Sequence, residues 1–143
     1  MKKLLLLQTF VFMAVLPISA STADDIAYIR KFYTEYKSAY GYDKNSYPPE
    51  KCYEIIKKYC TAGILKDMQD DPIGYDFPTD DYGMDEHSLP TLKIITVGSN
   101  LYKVTFQVLY INPTKEKTIK TVIINVLLTD CKISNFDWSI GYK

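Results

Sequence analysis

The sequence is poor in the groups that carry most recognisable chemistry. It has one histidine (His87), one tryptophan and six glycines in 143 residues. A lone histidine with no Cys-x-x-Cys pair leaves no ligand set for a zinc site. No glycine-rich loop cradles a phosphate, and no Ser-His-Asp or Cys-His spacing marks a nucleophile. A basic stripe is also missing: 17 Lys and Arg balance 17 Asp and Glu, which argues against nucleic acid as a partner. The one long apolar run, Leu4–Leu16, falls short of the ~20 residues that a membrane span needs.

That run follows Lys2 and Lys3, and Pro17 breaks it ahead of small residues. This is the order of a secretory signal peptide. Residues 1–23 are read as the leader, with Ser21 and Ala23 at the small-residue positions and cleavage after Ala20 as the alternative. The expected product is exported, either periplasmic in a Gram-negative bacterium or secreted, and is not integrated in a membrane. Residues 24–143 fit a single domain of about 120 residues, large enough to fold without disulfide staples.

Cysteine is scarce too. Cys52 and Cys60 stand eight apart, which on one continuous helix is ~12 Å of rise, too far for a disulfide. Either the helix breaks between them or one pairs with Cys131, and the odd count leaves a free thiol or an intermolecular bond.

What the chain does have is a helical front and a strand-rich back. Ile26, Ile29, Tyr33, Tyr36 and Tyr40 recur at helical spacing and predict a first helix over 24–40, with Thr22 and Asp25 as a capping box and Gly41 as its stop. Pro49 suits the first turn of a second helix carrying Cys52, Ile55, Ile56, Tyr59 and Cys60 on its inner face. Gly63 is expected to interrupt it, with a short continuation through Met68. Beyond residue 90 the period becomes two. Strands are predicted over 91–97, 101–111, 118–129 and 132–140, with Tyr102, Val104, Phe106, Val108 and Tyr110 on one face. Short connections make these an antiparallel meander. The fold class is therefore α+β: N-terminal helices packed on a curved antiparallel meander of about four strands.

This order resembles the nuclear-transport-factor-2-like superfamily, and within it a secreted Gram-negative family of unknown function. The likeness rests on Phe32-Tyr33-x-x-Tyr36, Lys58-Tyr59-Cys60-Thr61, Tyr75-Asp76 and the Leu-x-x-Leu run Leu89–Leu92, while the closing-strand motif Asp137-Trp138-Ser139-Ile140 stands where the family tends to have Trp-Lys-Ile. It implies a cone-shaped domain with a pocket between the first helix and the concave sheet, and it brings no established activity. Members of the superfamily pair through the sheet, so the resemblance also raises a homodimer.

Between helices and strands lies Asp70–Glu86, with seven carboxylates and no Lys or Arg. Calcium takes six to eight oxygens, but the EF-hand pattern fails here: placing Gly83 or Gly74 at its sixth position puts Pro78 or Gln69 first, where Asp belongs. No metal and no cofactor is implied. The Pro and Gly content reads as a solvated, turn-rich connector. The resemblance singles out Asp76, and Asp80 and Asp81 are the other carboxylates expected to turn inward.

The candidate ligand-binding residues are Tyr33, Tyr36 and Tyr40 on the first helix, Tyr102 and Phe106 on the sheet, and Asp76, Asp80 and Asp81 at the pocket mouth. No catalytic residue is assigned. Three functions compete. The first is an exported, non-enzymatic module binding an unknown small molecule between helix and sheet. The second is a protein-interaction subunit or inhibitor using the acidic loop. The third is a small isomerase or hydrolase with a loop Asp as base.

Overall fold

The computed structural model describes residues 22–40 and 49–138. The first helix, α1 (Thr22–Ala39), buries Ile29, Phe32, Tyr33, Tyr36 and Ala39 along one stripe. Asp24 and Asp25 in its first turn and Lys37 in its last complement the helix dipole. The expected leader falls outside the described residues except for Thr22 and Ala23, which open α1.

Pro49 is the N-cap of α2 (Glu50–Tyr59). The break that follows differs from the expectation at Gly63, which lies inside α3 (Ala62–Asp70). The helix ends because Cys60 becomes extended and bridges Ile133 in parallel. Thr61 N–H then donates to the Ile133 carbonyl at 2.8 Å. A tertiary bond to the last strand therefore replaces the next helical bond. All three cysteines are free: Cys52 and Cys60 are buried and Cys131 is exposed.

A single 3-10 turn, Phe77–Thr79, and a one-turn helix, α4 (Ser88–Thr91), lead into the sheet. The spacing predicts residue 91 in the first strand, but the local hydrogen bonds favour a turn. Asp85 N–H donates to Ser88 Oγ at 3.0 Å and Thr91 Oγ1 donates to the His87 carbonyl at 2.6 Å. The strands are β1 (Lys93–Gly98), β2 (Leu101–Ile111), β3 (Lys117–Thr129) and β4 (Lys132–Asp137). They form one open antiparallel sheet in the order β1-β2-β3-β4. Asp130 and Cys131, with φ of 50° and 59°, make the two-residue turn between β3 and β4. The expected extension of β4 to residue 140 falls partly outside the described residues.

Helices and sheet meet as two layers. Tyr102, Val104, Phe106 and Val108 of β2 alternate inward, as the period of two predicts, and face Val122, Ile124 and Val126 of β3 across the register. Phe32 is the hub of the interface. Its ring lies 5.0 Å from Tyr33, 5.2 Å from Tyr36, 5.7 Å from Tyr59 and 5.8 Å from Phe136, centroid to centroid. Fully burying such a side chain contributes about 1.5–3 kcal/mol. No helix among the described residues is long and apolar enough to cross a membrane.

Candidate functional site

The acidic segment meets α1 at one carboxylate. Asp76 is fully buried. The 3.6-residue period places Tyr33 and Tyr36 on one side of α1, with Tyr40 in the turn just after it, and their hydroxyls reach this segment. Tyr36 donates to Asp76 Oδ1 at 2.5 Å, Tyr40 donates to Asp76 Oδ2, and Tyr33 donates to the Pro78 carbonyl at 3.1 Å. From the 3-10 turn, Thr79 Oγ1 donates to Asp76 Oδ2 at 2.5 Å. The backbone closes the ring: the Asp76 carbonyl accepts the N–H groups of Thr79 at 3.1 Å and Asp81 at 3.2 Å. Asp81 Oδ1 in turn accepts Asp76 N–H at 3.4 Å.

Burial pushes the Asp76 carboxyl up to about 6; the bonds from Thr79 and Tyr36 pull the other way, and the Asp81 charge adds to the rise. Burial also raises the Tyr33 and Tyr36 hydroxyls well above the ordinary phenol range, with Asp76 beside them adding to the effect. Desolvation is the largest cause at all three groups because each of them is fully buried.

The residues singled out from sequence separate into two groups. Tyr33, Tyr36, Tyr40 and Asp76 converge; Asp81 caps the Asp76 N–H but stands exposed rather than turned inward as expected. Asp80 flanks them in a left-handed conformation, φ 50°, and accepts a hydrogen bond from Tyr75. Phe106 touches the group through Tyr33, at 5.8 Å between ring centroids. Tyr102 belongs elsewhere: its hydroxyl donates to Asp25 Oδ2 at 2.6 Å, in the first turn of α1. Asp25 and Tyr40 are fifteen residues apart, ~22 Å along a helix axis. Tyr33, Tyr36, Tyr102 and Phe106 are all core side chains packed against neighbours.

Thr79 is a member of the cluster that residue spacing alone does not single out. Its one signal is the Asp-x-x-Thr arrangement of Asp76 and Thr79, a pattern in which a side chain closes a local turn. Trp138, in the closing-strand motif, packs on Tyr75 at 5.3 Å and Phe77 at 5.6 Å and joins the end of the sheet to the loop.

The rest of the acidic segment is more than solvated charge. Asp71 organises the Pro72–Gly74 turn, accepting Ile73 N–H at 2.9 Å and Tyr75 N–H at 3.1 Å. This turn needs a left-handed residue, supplied by Gly74 at φ 72°. Asp70 pairs with Lys66 one helical turn away. Asp85 accepts His87 N–H at 2.8 Å and Leu109 N–H at 2.5 Å. Burial alone would raise its carboxyl, yet those two bonds and the adjacent His87 hold it below the ordinary range. Potential metal-ligating atoms of Asp85, Glu86 and His87 lie within 4.8 Å of one another, but both Asp85 oxygens already hold backbone N–H groups. On the loop surface Ile73 stands 86% exposed.

An open antiparallel sheet with helices on one face and a carboxylate-rich connector tied to the first helix defines the class as a two-layer α+β domain. No family model matches the chain, and no curated protein does either. The fold has solved counterparts. A protein of unknown function from Bacteroides thetaiotaomicron superimposes with a TM-score of 0.52 at 16% identity, over 80% of this chain and 89% of that one. The candidate transfer protein TraH of the Gram-positive conjugative plasmid pIP501 does so with a TM-score of 0.55 at 15% identity, over 82% and 93%. At such identities the likeness is one of fold.

Proposed function

We propose that this chain is an exported, non-enzymatic binding module of the nuclear-transport-factor-2-like type, periplasmic or secreted, that meets a partner protein through its acidic loop. The observation carrying this reading is the Asp76 cluster. It ties the loop to α1 and leaves Asp70, Ile73, Asp81, Tyr82 and Glu86 at the surface. A loop held in one shape loses little freedom on binding, and concentrated negative charge favours a basic partner. The cone-shaped form of the sheet and membership of the superfamily belong to the same proposal, supported by the helix-then-meander order. A homodimer through the open sheet face is part of it as well, supported by Ile95 and Ile119 standing exposed there.

The alternative of a small ligand between α1 and the sheet requires Tyr33, Tyr36 and Phe106 to part, since these rings fill that space. A base role for Asp76 likewise requires the loop to open first. An open cleft of about 280 Å³, lined by Pro90, Thr91, Lys93, Thr105, Phe106, Gln107 and Thr121, lies beside α4 and the sheet.

The test is affinity capture from the exported fraction of the source cell at low and high salt, with the wild type and a variant carrying D70N and E86Q. The expected result is a species retained by the wild type at low salt only, because exposed charge contacts are screened over ~8 Å at physiological ionic strength. An identical empty result at both salts counts against the reading.

A further inference from the structure

Among the described residues, the Asp76 carboxyl faces no cation. From α1 it is faced by the hydroxyl of Tyr36, with Tyr33 alongside, and from the turn after α1 by that of Tyr40; from α2, Cys52 stands behind Tyr36; from the 3-10 turn comes Thr79, and from the loop Asp81. Each of these groups is neutral or negative at neutral pH. The geometry therefore lets the carboxyl stay in the core either as an acid or as an ion, with hydrogen bonds in both forms. An acid donates its O–H to one tyrosine oxygen and accepts from the other hydroxyls. An ion accepts from all three. The difference between the two states is a buried charge that no cation among the described residues compensates, which is costly.

We propose that Asp76 is a proton-operated latch on the acidic loop: its protonation holds residues 76–83 closed against α1, and its ionisation loosens them. The latch itself depends only on this cluster. Its bearing on partner binding rests on the loop reading given above.

The mechanism is linkage between opening and proton loss. In the open loop the carboxyl is hydrated and behaves as an ordinary aspartic acid, ionising near 3.8, whereas closed in the core it holds its proton to about 6. The closed form is the better proton acceptor, so acid favours closure. That contribution is complete below the open-state value and fades as pH rises through the closed-state value. Between pH 5 and pH 7.5 the opening equilibrium of the loop rises about tenfold on these values. The loop amides report it directly. Thr79 and Asp81 N–H bond to the Asp76 carbonyl, Tyr82 N–H to the Thr79 carbonyl, and Gly83 N–H to Thr79 Oγ1.

The experiment is hydrogen exchange on the purified chain, resolved at these four amides and corrected for intrinsic rate, at steps from pH 5 to 7.5. Amides of Val104 and Ile124 mark the global unfolding limit, which the loop amides must stay below for local opening to be read. The expected result is a roughly tenfold loss of protection at the loop amides between pH 5 and 7.5, absent in D76N, which is neutral throughout. Protection that is flat or rises with pH, or the same profile in D76N, overturns the latch. Should D76N fail to fold, the side-chain carboxyl carbon of Asp76 in the wild type decides by NMR. Titration near pH 6 supports the latch, and titration in the ordinary aspartate range overturns it. Neither readout involves a partner, so a failed capture experiment and a failed latch are separate results.

Discussion

The Asp85 carboxylate occupies the place where β1 would continue along the edge of β2. The last β1–β2 pair is Lys93 with Thr105. Two residues on, Gln107 N–H donates to Thr91 Oγ1 at 2.9 Å, and two further on Leu109 N–H donates to Asp85 Oδ2 at 2.5 Å. Two side chains from the loop and α4 thus close an edge that would otherwise be open to pairing with another strand.

Removing that cap is expected to destabilise the chain. Asp85→Ala leaves the Leu109 and His87 amides without their acceptor, at a cost of about 1–3 kcal/mol. Asp85→Asn, which keeps a single acceptor oxygen, is expected to lose less. Denaturant unfolding gives the size, and exchange at Leu109 gives the location.

Global stability is expected to carry an Asp76 component that grows in acid. Its folded value is raised from 3.8 to about 6, so the stabilisation is full below 3.8 and lost as pH rises through 6. Other carboxylates, such as Glu35 held low by its Lys58 and Tyr59 bonds, push the opposite way. The component is therefore read as the wild-type minus Asp76→Asn difference in unfolding free energy. That difference is expected to shift toward the wild type by about 1–2 kcal/mol between pH 7.5 and pH 5.

The three thiols are expected to separate by accessibility. Cys131 sits exposed in the β3–β4 turn and should react with a thiol reagent in the native state. Cys52, pushed by burial to about 12, and Cys60, pushed higher still by burial, should react only on unfolding. Native labelling at more than one site, counted by mass spectrometry, would contradict this assignment.

Two apolar substitutions of opposite consequence test the core assignment. Phe32→Ala, which empties the centre of four ring contacts, is expected to cost about 3–5 kcal/mol. Ile73→Ala, at an exposed turn, is expected to stay within about 0.5 kcal/mol of the wild type. Under the proposed function Ile73→Ala is also expected to weaken partner capture, which separates its role from stability.

Periodicity is legible where the chain obeys local rules. The stripe of α1 and the inward alternation of β2 follow from residue spacing, and the predicted 101–111 strand coincides with β2. It fails at residues 60–63 and at 91, where a bond to a distant strand or a side-chain cap outweighs local propensity. The candidate site is half legible. Asp76, Tyr36 and Tyr40 can be singled out as types, but Tyr102 and Tyr36 share a helical and strand pattern without sharing a neighbourhood. The Tyr36 hydroxyl goes to Asp76 and the Tyr102 hydroxyl to Asp25.

By itself the sequence determined the two-layer plan, because apolar spacing of 3.6 in front and 2 behind leaves each element one face to bury. It also set the concentration of charge between residues 70 and 86. Only the tertiary structure decided what that charge does. A carboxylate accepts whatever N–H or O–H the fold brings within reach, and those donors come from residues up to forty positions away: Tyr36 for Asp76, and Leu109 for Asp85. Within the loop that reads as solvated charge stand, for that reason, two capping carboxylates, Asp71 and Asp85, and one buried acid, Asp76, beside charges that stay at the surface.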